Sequence, residues 1–312
     1  MVSCRGRRNR RPILPVAPKS AGPVAGHTES AGPRHPEAET ATHSTEEVST
    51  IRNVRFERDG AIGTIVLAAP PTNWLNTEFA ESLRIAVHEA SESDIRVLQI
   101  RADGPNFCVG GAVQEWPGKS PDWFRTFVAE VNASYRALEL LRIPIICSVQ
   151  GEVLGGGFEL ALSADFIIAA ESARFQCVEI TTGMVPLAGA VQRLADIVGP
   201  VRTVRMAMLA EQLTATEAAE LNVVSWVVPD DELAKTAAEL AERLARGPTR
   251  GYAAVRALLK AWSSGGTPGA DNLMYELTQD LYRTEDTANG IKAVARAMDR
   301  GEMFADLPFH GR

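Results

Sequence analysis

Histidine is scarce: five in 312 residues, of which His27, His35 and His43 precede residue 51. Only His88 and His310 remain for a folded body, so a histidine triad or a multi-histidine metal site is poorly supplied. Cysteine is scarce too. Cys4, Cys108, Cys147 and Cys177 show no CxxC spacing, which argues against a zinc finger and a disulfide framework and for a reducing compartment. No apolar run approaches the roughly 18 residues of a membrane-spanning helix. Positive charge is not in excess, since 32 Lys and Arg face 39 Asp and Glu, unlike a protein whose main partner is nucleic acid. These shortages lead us to expect no metal, no nucleic acid, no membrane partner and a cytoplasmic location. The 45% hydrophobic and 23% charged residues suffice for a sizeable core.

The first fifty residues lack every aromatic and hold six of the 18 prolines. Such a segment buries too little to offset its ordering entropy, so residues 1–50 are expected to form a disordered tail. Arg5, Arg7, Arg8, Arg10 and Arg11 give it a basic start, as in a transit peptide. Pro12, Pro15 and Pro18 break both an apolar signal core and an amphipathic helix, which leaves a solvated extension as the expectation.

From residue 51 strand and helix patterns alternate, implying an α/β core over 51–245 and a helical region over 246–312. Segments 62–68, 95–101, 144–149 and 166–170 read as strands. Phe79, Leu83, Ala86, Val87 and Ala90 share one helix face, and another helix is expected over 121–141. Thr214 and Glu217 form a capping-box signature, and Gly247-Pro248 stops the helix that follows Asp230. Residues 263–269 read as a loop between helices. Trp74 and Trp226 are expected in the core. Glu115, Trp116, Asp122 and Trp123 are expected in a mobile surface loop, with a place along an acyl pocket as the less favoured reading, and Cys108 and Cys177 as small packing residues.

The chemistry is concentrated in Gly151-Glu-Val-Leu-Gly-Gly-Gly-Phe-Glu159, which follows a strand and opens a helix. Three glycines let a ligand approach the backbone, and the N–H groups of a helix start suit a phosphate or a developing oxyanion. A tight packing turn is the competing reading. No G-x-G-x-x-G is present, so this is not a dinucleotide fingerprint. A second turn, Gly104 to Ala112, could supply a second donor. Glu159 and Glu179 are lone carboxylates among apolar and small residues. Two such groups can divide acid and base roles if their surroundings differ, although spacing alone does not bring them together.

Residues 52–312 resemble the enoyl-CoA hydratase/isomerase (crotonase) family. The resemblance rests on Asn73-Trp-Leu-Asn76, Phe107-Cys-Val-Gly-Gly111, Pro144 through Ala161, Asp165 through Phe175, Glu179-Ile180, Gly183-Met-Val-Pro186 and Arg193-Leu194. It implies a spiral of repeated ββα units with a helical C-terminal trimerisation region, a homotrimer or dimer of trimers, and an acyl-CoA substrate. CoA would be part of the substrate, with no separate cofactor. By position, Gly111 and Gly156 match the two oxyanion-hole donors, Glu159 and Glu179 the two catalytic glutamates, and Val109, Gly110 and Gly155 substrate-binding positions. Both glutamates together favour hydration of a 2-enoyl-CoA. Δ3–Δ2 isomerisation by Glu179 alone, C–C bond hydrolysis and a binding protein without turnover are the alternatives. The chain departs from the family at Gly111-Ala112, where an Ala-Asp pair usually follows the glycine, and at Val178, where a Pro is usual. Its C-terminal motif, Val294 to Phe304, is degraded, leaving Arg300 as the one candidate for a CoA phosphate, with a solvated surface role the expected one.

Overall fold

A computed structural model describes residues 52–302, 307 and 309–311; the expectations for residues 1–50 and for Phe304 fall outside them. The strands β1 (Val54–Asp59) and β2 (Ile62–Leu67) form an antiparallel pair, followed by α1 (Thr77–Ser91) and β3 (Val97–Ala102). The chain continues through α2 (Pro121–Leu140), β4 (Ile145–Val149), β5 (Glu152–Leu154), α3 (Gly156–Ala161), β6 (Phe166–Ala170) and β7 (Arg174–Gln176). After α4 (Ala190–Met208) come β8 (Leu213–Thr214), α5 (Ala215–Glu220), β9 (Trp226–Val228) and α6 (Leu233–Ala245), then α7 (Thr249–Tyr282) and α8 (Glu285–Asp299).

The large sheet runs β1-β2-β3-β4-β6-β9 and is parallel beyond its first pair, while β5-β7-β8 form a small second sheet. From β4 onward the chain passes back and forth between the two sheets, β4 to β5, β6 to β7 and β8 to β9, in keeping with the expected spiral of ββα units. All five residues of β4 are buried, as a parallel strand covered on both faces requires. The apolar face expected for α1 is the one it buries, and Asn76 caps the helix by accepting the Phe79 N–H at 2.9 Å, a bond worth about 1 kcal/mol. The Thr214–Glu217 capping box is present with both of its bonds.

Several readings are refined. The break expected over 263–269 is present but shorter: α7 joins two helices that meet at Gly266, which takes φ 62 and ψ −163. Glycine tolerates that backbone, and Pro268 sits just past the break, where a missing N–H costs little. Asp122 and Trp123 are in the first turn of α2, started by Pro121 and capped by the Ser120 hydroxyl, which accepts the Trp123 N–H at 3.1 Å. Glu115 ends the short 3-10 turn Val113–Glu115. Trp74 and Trp226 are 40% and 46% exposed; Trp74 lines a cavity, and Trp226 lies on the last strand of the large sheet, stacked on Phe166.

Candidate active site

Two turns build the site. The first, residues 109–112, is held against residues 72–75. Val109 N–H donates to Thr72 C=O at 3.0 Å, Leu75 N–H to Gly110 C=O at 2.9 Å, and Ala112 N–H to Leu75 C=O at 2.9 Å. Asn73 fixes this segment from inside. Its buried side chain accepts the Ala69 N–H and donates to the carbonyls of Asp103 and Asn106. None of these backbone bonds uses the Gly111 N–H.

The second turn joins β5 to α3. Gly155 takes φ 49 and ψ −125, which only glycine adopts without strain. Gly156 begins α3, so its N–H is one of the donors that a helix start leaves without an intrahelical partner. Gly157 lets the two turns touch, because a Cβ there would stand 2.5 Å from Cys108 Cβ and 2.6 Å from the Cys108 carbonyl oxygen. The N–H donors of Gly111 and Gly156 thus belong to abutting turns, and both glycines line one cavity of about 300 Å³.

Val109, Gly155, Glu159 and Glu179 line the same cavity, and the two glutamates are the only titratable side chains among its described lining. Gly110 stands behind the wall, buried, with its carbonyl occupied by Leu75. The rest is mostly apolar. Trp116 covers Gly111 and packs edge-on against Phe124 at 5.1 Å, while Phe127 is backed by a stacked Trp123.

The two carboxyl groups have unlike surroundings. Glu159, on α3, is 3% exposed, and its Oε1 accepts the N–H groups of Ala188 at 2.8 Å and Ala190 at 3.0 Å. Burial pushes its pKa up from the ordinary carboxylate value, while those two bonds and the charge of Arg193 pull it back. Glu179 opens the 3-10 turn Glu179–Thr182, and its buried Oε2 has no hydrogen-bond partner. Burial pushes this carboxyl up to about 7, opposed by its own N–H and reinforced by the charge of Glu159. Two backbone donors can hold a carbonyl oxygen that gains charge, and two carboxyl groups of unlike acidity can give and take protons beside it.

Cys108 and Cys177 are buried, and burial pushes both thiols up to about 12, so both are packing residues as expected. Arg300 is exposed and paired with Glu302 at 2.7 Å. Two features escaped the sequence reading. Tyr135, buried on α2, donates its hydroxyl to the Gly156 carbonyl at 2.7 Å; a tyrosine on an apolar helix face carries no signal of that contact. The loop 187–190, which grips Glu159, contains no side chain that would mark it. Among the described residues there is no cluster of His, Cys, Asp and Glu that could hold a metal ion, and no helix long and apolar enough to cross a membrane.

The family model described as enoyl-CoA hydratase/isomerase matches residues 57–298. The chain is similar to a trans-2-decenoyl-[acyl-carrier-protein] isomerase of Streptococcus mutans, with 30% identity covering 78% of this chain and 94% of the relative. It is similar to a short-chain-enoyl-CoA hydratase of Clostridium acetobutylicum, with 32% identity covering 62% and 76%. The crystal structure of an enoyl-CoA hydratase from Bacillus anthracis superposes with a TM-score of 0.75 and 25% identity, covering 83% of this chain and all of that one. A family match over most of the described chain and the agreement in fold lead to one conclusion: this protein belongs to the enoyl-CoA hydratase/isomerase family.

Proposed function

We propose that the protein adds water across the 2,3 double bond of an enoyl-CoA thioester. The observation that carries this reading is the pair of unlike carboxyl groups, Glu159 and Glu179, on the cavity that Gly111 and Gly156 also line. The thioester oxygen is held between the Gly111 and Gly156 N–H groups. Glu159, whose two N–H donors oppose the upward push of burial on its pKa, takes a proton from a water whose oxygen bonds to the β-carbon. The electrons of the double bond move onto the thioester oxygen as an enolate. Glu179, whose raised pKa of about 7 keeps a large share of it protonated near neutrality, delivers a proton to the α-carbon. Proton return from Glu159 to Glu179 through solvent resets the pair. Val109 and Gly155 shape the wall beside the thioester, and Gly110 supports it from behind.

CoA enters as part of the substrate, with no separate cofactor in the reading. A homotrimer or dimer of trimers belongs to the same proposal, supported by the exposed apolar side chains of Val201, Val204 and Met208 along α4. A cytoplasmic setting also belongs to it, and the three buried free cysteines suit a reducing compartment.

The test follows the ultraviolet absorbance of short, medium and aryl 2-enoyl-CoAs with purified protein, Glu159→Gln and Glu179→Gln. Loss of absorbance yielding 3-hydroxyacyl-CoA by mass, and abolished by both substitutions, is the expected result. Unchanged absorbance with every acyl group overturns hydration. Conversion of a 3-enoyl-CoA that needs Glu179 but not Glu159 makes the protein an isomerase.

A further inference from the structure

The loop that grips Glu159 is itself held in place. Asn132, on α2, donates its side-chain N–H to the Leu187 carbonyl at 2.7 Å. Arg193, on α4, donates Nη1 to the Ala188 carbonyl at 2.8 Å and Nε to Glu139 Oε1 at 2.7 Å, with Nη2 also 2.7 Å from that oxygen. The guanidinium lies so close to Gly189 that a Cβ there would collide with Nη1. Gly189 has φ 113, and the N–H groups on either side of it, from Ala188 and Ala190, point at Glu159 Oε1. Two side chains therefore hold the backbone that donates to the carboxylate, and Arg193 is the charged one.

We infer that Arg193, clamped by Glu139, is a positioning residue for Glu159: it sets the 187–190 loop on that carboxylate and supplies the positive charge that balances it. The inference extends the hydration reading by assigning who keeps the base in its working form. The groups that face Glu159 are Glu179 from the 3-10 turn, Tyr135 from α2, Cys177 from the segment after β7 and Arg193 from α4. Arg193 is the only cation among them, and it is paired with Glu139. The side chains of Arg193 and Glu139 are 16% and 30% exposed, so water screens this charge weakly. Arg193 acts through the loop and through its field, and touches no substrate.

The test follows protonation of Glu159 in the full-length protein by its infrared carboxyl band, identified by its loss in Glu159→Gln. Arg193→Gln keeps a donor for the Ala188 carbonyl and drops the charge; Arg193→Lys keeps the charge and drops the fork. The expected result is that Arg193→Gln binds the Glu159 proton about tenfold more tightly, because an opposite charge at close range favours ionisation by that order. Arg193→Lys is expected to return the titration towards wild type. With an enoyl-CoA that turns over, the rise of kcat/KM with pH is expected to move to higher pH in Arg193→Gln by the same factor, with KM little changed.

Identical Glu159 titrations in all three proteins overturn the inference, even if thermal stability falls. A titration that moves in a protein that hydrates no enoyl-CoA overturns the hydration reading alone and supports the charge-balancing role. If Arg193→Gln does not fold, Glu139→Gln decides the matter. That variant keeps an acceptor for Arg193 and leaves its charge uncompensated, so the Glu159 titration is expected at lower pH, and an unmoved titration overturns the inference.

Discussion

Glu159 stands on α3 with two backbone N–H groups on one oxygen and a guanidinium behind the loop that supplies them. Glu179 opens a four-residue 3-10 turn whose next three residues are exposed, and its Oε2 has no partner. Both are carboxyl groups on one apolar cavity, yet Glu159 has two donors from a neighbouring loop and Glu179 only its own N–H. Donors fixed by the fold stabilise a charge in place, whereas burial without donors stabilises the neutral acid. In the proposed reaction the same side chain serves as base on one wall and acid on the other, a difference its neighbours can supply.

The largest expected effect is on catalysis. Glu159→Gln and Glu179→Gln should each lower kcat/KM for hydration by roughly 10²–10⁴, the usual contribution of a general base or acid. Steady-state assays with one enoyl-CoA check this, and a loss confined to one variant breaks the symmetry of need between the two walls.

The next effect is on stability and differs in size between the two walls. Glu179 sits near 7 in the folded protein against an ordinary 4.5. Between those values the folded chain binds the proton and the unfolded chain does not, so stability contributed by the neutral group is present at low pH and lost as pH rises through about 7. Glu179→Gln removes that loss. It should be more stable than wild type by up to about 3 kcal/mol near pH 8 and level with it near pH 4, read by urea unfolding at both pH values. Glu159→Gln should gain less at high pH, because its carboxylate has donors.

Glycine substitutions sharpen the contrast in packing. Gly157→Ala drives a methyl into Cys108 and should cost about 1–3 kcal/mol, as overpacking does, with a loss of activity because the two donor turns are forced apart. Gly183, which ends the Glu179 turn, has open space around a Cβ and φ 78. Gly183→Ala should cost only about 1–2 kcal/mol, the left-handed backbone penalty. Thermal or urea unfolding of the two variants side by side measures the difference.

Much of this was legible in the sequence where local physics acts alone. The apolar face of α1, the strand at 145–149 and the Thr214–Glu217 capping box are short-range patterns, and each is present in the fold. The strand β1 went unread because Arg55, Glu57 and Arg58 alternate with only two apolar residues, Val54 and Phe56, and it pairs at the edge of the sheet. The bend at Gly266 read as a loop because Gly and Pro mark both loops and helix breaks. The site divided along the same line. The glycine turns and lone carboxylates stand out by type, and the family resemblance singles out Gly111, Gly156, Glu159 and Glu179, which line one cavity. What distinguishes the two glutamates could not, because the donors to Glu159 are main-chain N–H groups of Ala188 and Ala190, supplied by residues whose side chains carry no chemistry. Arg193 stands in the sequence as one member of an Arg-Leu motif, and its contact with the Ala188 carbonyl is a property of the folded loop.

The most direct test of the division between the two walls is the pH dependence of kcat/KM for hydration in wild type and in Glu179→Gln. The expected result is a rate that falls in wild type as pH rises through about 7, where Glu179 loses the proton it must donate, and a residual rate in Glu179→Gln without that fall. A wild-type rate that stays level from about pH 7 to 9, or the same fall in Glu179→Gln, would contradict the assignment of Glu179 as the acid.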